Sequence, residues 1–184
     1  MYHIFIFFAK VHFRSNKTQH LRIHLVLLYS KYMIPRLILF LALNFGALAL
    51  GGIFAGQGAV SDWYDGLQKA PWTPPGWVFG FAWTTIMICF SIFMSMAWEK
   101  INNKKKFVLL FSIQWILNVG WNPSFFYYHN VLFGIIIICS LTLLIAYLLL
   151  DYYKKLGSLT FFLLPYLIWL CIASSLNGYI LFMN

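Results

Sequence analysis

The polar and aromatic residues of this chain that could do chemistry lie within long apolar runs. They recur at helical spacing in three stripes: Phe79, Trp83 and Met87; Gln114, Asn118, Trp121, Asn122 and Phe125; and Tyr166, Trp169, Ala173 and Asn177. Residues three, four or seven positions apart share one face of a helix. Aromatic walls with a few polar groups are typical of a pocket for a flat, largely apolar ligand. The spacing therefore predicts a binding pocket, with plain helix packing as the alternative.

Groups for nucleophilic, acid/base or metal chemistry are not gathered in this way. The four acidic residues lie in loops or at the ends of apolar runs, and the three cysteines lie in separate runs. His20 and His24 have the spacing of a metal pair, but no third ligand is near them. We therefore expect no metal site and no required cofactor. The apolar runs also lack charged residues, which weighs against ion-coupled transport.

Each of the three stripes lies within a long apolar run free of Lys, Arg, Asp and Glu, and the chain has five such runs. They cover about residues 37–56, 77–98, 107–128, 131–150 and 159–183. About 20 apolar residues in a helix span the core of a bilayer. The composition, 62% hydrophobic and 9% charged, is also too apolar for a soluble domain of this length. The predicted fold is an all-α integral membrane protein, a bundle of five transmembrane helices surrounded by lipid.

The charges in the connecting segments predict the orientation of this bundle. Lysines at 104–106, 154 and 155 fall between predicted helices on one side, whereas Asp62 and Asp65 fall on the other. Because Lys and Arg in short loops stay in the cytoplasm, we expect an N-in, C-out topology. The net charge of +9 is then a topology signal and a source of attraction to lipid headgroups, and nucleic acid is not an expected partner.

Residues 1–32 differ from the rest because they are basic and contain no run that could span a bilayer. We interpret them as a disordered basic arm or as an extension ahead of a native start at Met33. The membrane domain is then 33–184.

Tryptophans are expected at two depths. Pro74 and Pro75 delay the second helix to about Gly76, because proline lacks an N–H and fixes φ. Trp77 then lies at the membrane interface, whereas Trp83, Trp121 and Trp169 lie deeper and need partners for their N–H groups. The glycines at 51, 52 and 56 of the first helix are expected to leave room for the pocket.

Three separated motifs resemble one known family in the same order along the chain. They are residues 63–69 with Pro71 to Trp77 and Trp83; Gln114 to Phe126; and Pro165 to Trp169 with Ala173 and Asn177. This pattern resembles the translocator protein family (TspO/MBR, tryptophan-rich sensory protein, peripheral-type benzodiazepine receptor). The resemblance implies five transmembrane helices, a homodimer, and binding of porphyrins or haem. Animal members also bind cholesterol and benzodiazepine-type drugs.

The resemblance also implies roles for particular residues. Tyr64 and Pro74 would belong to the loop that closes the pocket, and the residues lining it would be Trp83, Asn118, Trp121, Trp169 and Ala173. Trp83 and Trp169 match paired tryptophans implicated in light-dependent porphyrin breakdown, which makes them the only catalytic candidates. Met87 stands where the family usually has a tyrosine. A bacterial-type member of the cell (inner) membrane is expected.

Three functions compete on this resemblance. A tetrapyrrole-binding sensor or regulator of tetrapyrrole metabolism ranks first, a porphyrin transporter second, and a light-dependent porphyrin-degrading enzyme third. The sequence supplies binding groups but no charged pathway and no acid/base pair, which is why binding ranks above the other two.

Overall fold

The computed structural model describes residues 16–55, 58 and 61–184, with side chains from residue 31 onward. Every regular element in these ranges is helical: α1 (Asn16–Ala55), a short α2 (Asp62–Asp65), α3 (Gly76–Lys100), α4 (Lys104–Asn122), α5 (Val131–Leu156) and α6 (Leu164–Met183). By its contacts the chain divides after Pro35. Every contact reported below lies within Arg36–Asn184.

The long helices α1, α3, α4, α5 and α6 correspond to the five predicted spans, which confirms the all-helical fold. Three stretches of the described chain are long and apolar enough to cross a membrane, namely Lys31–Ala55, Gly76–Lys100 and Val131–Met183. The last of these contains both α5 and α6. The N-in, C-out orientation stays a prediction.

The helix boundaries differ from the predicted ones at three places. Residues 16–32, expected to be part of a disordered arm, belong to α1, and the remainder of that arm, residues 1–15, lies outside the described residues. Helix α4 ends at Asn122 and continues as a π-helical turn, Pro123–Tyr127, because Pro123 has no N–H to bond the preceding turn. Helix α5 continues past residue 150 to Leu156, and Gly157, at φ +56°, makes the turn into the 3-10 segment before α6.

Side-chain caps start the helices that follow loops. The Ser61 hydroxyl accepts from the Tyr64 N–H, and the Asn103 and Asn130 side chains accept from the backbone at the starts of α4 and α5. Each cap satisfies one of the free N–H groups of a first helical turn. Pro75 lies directly before α3 without such a bond, as the proline pair predicts.

Two ends of the bundle are distinguished by their contacts. At the lysine end, which carries Arg36, Glu99, the lysines at 100, 104–106, 154 and 155, and Asp151, one ion pair joins Arg36 to Glu99. A second joins Lys106 Nζ to Asp151 Oδ2 at 3.0 Å. The loop end carries residues 61–75, the turn 127–130 and Asn184. The main core extends from the lysine end as far as Trp169 and Ala173, and its fully buried aromatic side chains include Phe90, Phe93, Phe107 and Tyr152.

Serine and threonine hydroxyls within the helices bond to their own backbone. Ser91 donates to the Met87 carbonyl at 2.7 Å, Ser95 donates to the Ser91 carbonyl at 2.7 Å, and Thr142 donates to the carbonyl four residues earlier. This back-bonding satisfies a hydroxyl without a neighbouring helix. One hydroxyl also serves a neighbour, because Asn44 Nδ2 donates to Ser91 Oγ at 2.8 Å and joins α1 to α3.

Candidate functional site

A cavity of about 210 Å³ lies at the loop end of the bundle. It is lined by Ala55, Gly58, Tyr64, Phe79, Trp83, Trp121, Asn122, Phe125, Phe126, Ile138, Trp169, Ala173, Leu176, Asn177 and Ile180. The walls thus come from the end of α1, from α2, from every later helix and from the π-helical turn. The three stripes predicted from helical spacing converge on this cavity, beneath the first loop.

The aromatic walls are packed in fixed geometries. The rings of Trp121 and Phe125 are stacked, with centroids 5.3 Å apart and an interplanar angle of 11°. The Phe79 ring meets Trp169 edge to face at 5.2 Å. The π-helical turn has a direct role here, because Phe125 and Phe126 lie on it and both line the cavity. Flat aromatic surfaces of this kind suit a flat ligand.

Three polar atoms of the lining residues are buried and have no hydrogen-bond partner. They are Nε1 of Trp121, Nε1 of Trp169 and Oδ1 of Asn177. The Asn177 amide is oriented by its Nδ2 group, which donates to the Ala173 carbonyl at 3.0 Å. A buried polar group without a partner costs about 1–3 kcal/mol, so a ligand that satisfied one of these groups would gain affinity.

The ionisable chemistry of the cavity is limited to one phenol. Burial, and secondarily the Asp65 carboxylate, raise the pKa of Tyr64, so its hydroxyl is protonated and neutral at physiological pH. Among the described residues no group of three His, Cys, Asp or Glu side chains could hold a metal ion. The described walls can therefore stack and donate hydrogen bonds, but they present no acid/base pair.

Five of the residues predicted for the site lie together on the cavity wall: Tyr64, Trp83, Trp121, Trp169 and Ala173. Asn118 does not line the cavity, although it is buried, with 7% of its surface exposed. It lies one helical turn before Asn122, which takes the wall position instead. Pro74 also lies off the wall, in the extended segment of the loop ahead of α3.

The glycines of α1 were predicted to leave room for the pocket, but the space beside Gly51 is occupied by another side chain. A Cβ at Gly51 would lie 2.5 Å from Asn122 Nδ2, so the space beside Gly51 is filled by the Asn122 amide. Gly52 has nothing within 4 Å of such a Cβ, and Gly56 lies outside the described residues. Gly51 therefore permits a close approach of α1 to α4.

Several wall residues were absent from the predicted site. Phe79, Asn122, Phe125 and Asn177 all belong to the predicted stripes, so helical spacing alone contained the signal for them. Ile138, Leu176 and Ile180 carry no such signal, because apolar residues on α5 and α6 are equally common on lipid-facing positions.

Below the cavity a buried pair joins α4 to α6. Gln114 Nε2 donates to the Tyr166 hydroxyl at 2.9 Å, and the Tyr166 ring contacts Trp83 with centroids 6.2 Å apart. Gln114 Oε1 has no partner. The pair closes the floor between the cavity and the filled lysine half.

A second hollow, a groove of about 490 Å³, runs along α4 at the lysine end. It is lined by Lys104, Lys105, Val108, Leu109 and Ser112, all from one helix. Because this groove is more open to the surroundings and has no aromatic wall, the less open cavity at the loop end is the better candidate for a ligand site.

The fold and the cavity together define a helical membrane protein with an aromatic-walled cavity beneath its first loop. The model of the TspO/MBR family matches residues 38–183, and the chain belongs to this family. It is 36% identical over 156 residues to the tryptophan-rich protein TspO of Chlorobaculum tepidum, covering 80% of this chain and 97% of that protein. The TspO of Archaeoglobus fulgidus is 34% identical over 139 residues, covering 75% and 90%. The match to the human translocator protein is 29% over 119 residues, covering 62% and 70%.

Proposed function

We propose that this membrane protein is a tetrapyrrole-binding sensor or regulator, with porphyrin or haem held in the aromatic cavity at the loop end. The observation that carries the proposal is the set of aromatic walls with unpartnered indole N–H groups at Trp121 and Trp169. A tetrapyrrole has large flat faces for the walls and peripheral carboxylates that accept hydrogen bonds. Membership of the TspO/MBR family supports the same ligand class.

A regulatory role is favoured over catalysis because the described walls present no acid/base pair and no metal site. A relative in Cereibacter sphaeroides, 29% identical over 133 residues, is named a tryptophan-rich sensory protein. That name supports a sensory role for this chain.

Light-dependent porphyrin breakdown is the second candidate. Trp83 and Trp169, which are far apart in the sequence, line the same cavity, so a bound porphyrin would contact both indoles. An excited porphyrin beside an oxidisable indole is a reasonable starting point for photochemistry.

Titration of the purified protein with protoporphyrin and with haem, in the dark and under illumination, tests the proposal. Tryptophan quenching reports binding, and the porphyrin absorption bands report breakdown. Trp169→Phe keeps the ring and removes the N–H, so we expect about fivefold weaker binding, equivalent to about 1 kcal/mol. The matched control is Trp98→Phe at the lysine end, outside the cavity, which should bind as the wild type does.

The outcomes separate the candidate functions. Saturable binding without a product supports the sensor, whereas a light- and oxygen-dependent product that disappears in the Trp83→Phe, Trp169→Phe double variant supports breakdown. Equal losses from Trp98→Phe and Trp169→Phe, or no saturable binding of either tetrapyrrole, would reject the cavity as the site. Porphyrin flux into liposomes would move the transporter ahead of both.

A further inference from the structure

The lysine end carries more positive charge than the acidic residues of the chain can neutralise. The sequence has four acidic residues, all in the described part of the chain, and two of them lie in the first loop at the opposite end. The other two are already paired, Glu99 with Arg36 and Asp151 with Lys106. Five lysines of this end therefore have no acidic partner in the described chain, namely those at 100, 104, 105, 154 and 155.

Two of these lysines border the groove on α4, and their spacing explains its shape. Lys104, Val108 and Ser112 are four residues apart and form one row on the helix, and Lys105 and Leu109 form the neighbouring row. Side chains four residues apart form ridges on a helix, with a groove between adjacent ridges. The groove thus runs along α4 from two ammonium groups to an apolar floor. That floor is open to the surroundings, because Val108 is 44% and Leu109 is 58% exposed.

The Lys104 ammonium is held in place without being neutralised. Its Nζ lies 5.1 Å from the centroid of the Trp98 ring. The face of an indole attracts a cation but leaves it charged. Lys106, two residues further on, differs because its Nζ donates to Asp151 Oδ2 at 3.0 Å. The groove therefore has one positioned cation, Lys104, and one exposed cation, Lys105, and neither is paired with an acid.

We propose that this groove binds one anionic phospholipid, with the phosphate between Lys104 and Lys105 and an acyl chain along Val108 and Leu109. A molecule with an anionic head and an apolar tail matches both parts of the groove, since basic residues next to an apolar span attract anionic headgroups. A soluble anion would leave the apolar floor uncovered, and a neutral lipid would leave the two lysines unpaired. The site is separate from the cavity at the loop end and does not depend on tetrapyrrole binding.

Native mass spectrometry of the full chain in detergent measures this binding. The protein is titrated with phosphatidylglycerol, and phosphatidylcholine with the same acyl chains is the neutral comparison. A lysine near anionic lipid contributes about fivefold in affinity, so we expect one phosphatidylglycerol per chain to bind at least about tenfold more tightly than phosphatidylcholine. Equal binding of the two lipids would overturn the proposal.

Two charge variants separate the groove from the general positive charge of this end. Lys104→Gln, Lys105→Gln should weaken phosphatidylglycerol binding about tenfold or more. The matched control is Lys154→Gln, Lys155→Gln, which removes the same charge from the same end outside the groove and should change the affinity less than about twofold. Thermal unfolding in detergent checks that both variants are folded. Equal losses in the two variants would show only general attraction and would reject the site.

A variant that fills the groove tests the acyl chain while both lysines are kept. Val108→Phe should weaken phosphatidylglycerol binding about threefold or more, because the chain loses its contact with the floor. Ile116→Phe, at an exposed position of the same helix beyond the groove, is the control and should bind as the wild type does. Unchanged binding in Val108→Phe would place the chain elsewhere and contradict the proposal.

Inorganic phosphate and glycerol phosphate distinguish a lipid from a soluble anion. At millimolar concentration and constant ionic strength, neither should displace phosphatidylglycerol, because neither has an acyl chain to cover the floor. Displacement by either one would identify the lysines as a site for a soluble phosphate and would overturn the lipid as the occupant.

Discussion

The two ends of this bundle are built from the same kinds of residue but are packed differently. At the lysine end, Phe93, Phe107 and Tyr152 contact one another and are almost completely buried, and two ion pairs join neighbouring helices. At the loop end, equally large aromatic side chains surround a cavity and leave three polar atoms of its wall residues without partners, whereas at the lysine end the Tyr152 hydroxyl is in that state.

This difference separates the tightly packed half of the bundle from the half that holds the cavity. Helices in lipid associate through packing and hydrogen bonds, because lipid tails are as apolar as the side chains they touch. The filled end supplies this packing. The loop end keeps unfilled volume and two buried indole N–H groups without a partner, and both cost stability.

Removal of a ring at the filled end should have the largest effect on stability. Phe93 has 0% exposure, so Phe93→Ala leaves a void and should lower the free energy of unfolding by about 3–5 kcal/mol. Phe126→Ala, on the cavity wall, should cost less because the ring already borders empty space. Unfolding in detergent measures both. Equal losses would mean that the two ends are packed equally well.

Disruption of the floor between the ends should have an intermediate effect. Tyr166→Phe leaves Gln114 Nε2 buried without its partner, and we expect a loss of about 1–3 kcal/mol in the free energy of unfolding. Tyr153→Phe, at a half-exposed position, is the control. The Gln114→Leu, Tyr166→Phe double variant should recover most of the loss, since both polar groups are gone. A double variant as unstable as Tyr166→Phe would show that the hydrogen bond is not the cause.

A methyl group at the close contact of α1 and α4 should have the smallest effect. The Cβ of Gly51→Ala would displace the end of the Asn122 side chain, which can move, so we expect a loss of about 1 kcal/mol together with altered ligand affinity. Gly52→Ala, with open space around it, should be neutral or stabilising because alanine favours helix. Asn122→Ala should suppress the effect of Gly51→Ala. Equal effects at the two glycines would show that the contact with Asn122 is unimportant.

The fold could be predicted from the sequence because the length of each apolar run and its lack of charge can be read from that run alone. The five runs match the five long helices. The grouping of Trp83, Trp121 and Trp169 with other wall residues of their own helices could be predicted for the same reason, since spacing along one helix fixes which residues share a face. Neither property depends on how two helices are placed against each other.

Features that depend on the relative placement of helices could not be predicted. Asn118 and Asn122 lie on one stripe, yet Asn122, which contacts α1 at Gly51, lines the cavity and Asn118 does not. The contact between Gln68 and Asn184 joins residues 116 positions apart, and neither is unusual in its own segment. The π-helical turn was also missed, although Pro123 marks its start.

The back-bonded hydroxyls of Ser91, Ser95 and Thr142 have a consequence for biogenesis. A helix whose hydroxyls are satisfied by its own carbonyls can enter the bilayer alone, before any neighbour has been synthesised. The amides of Asn44 and Gln114 are not satisfied within their own helices, and they bond instead to residues 47 and 52 positions away. Nascent α1 and α4 would therefore each carry an incomplete polar group until the correct later helix arrived. The cost of leaving these amides unpaired favours the native pairing of helices over other arrangements that bury the same apolar area.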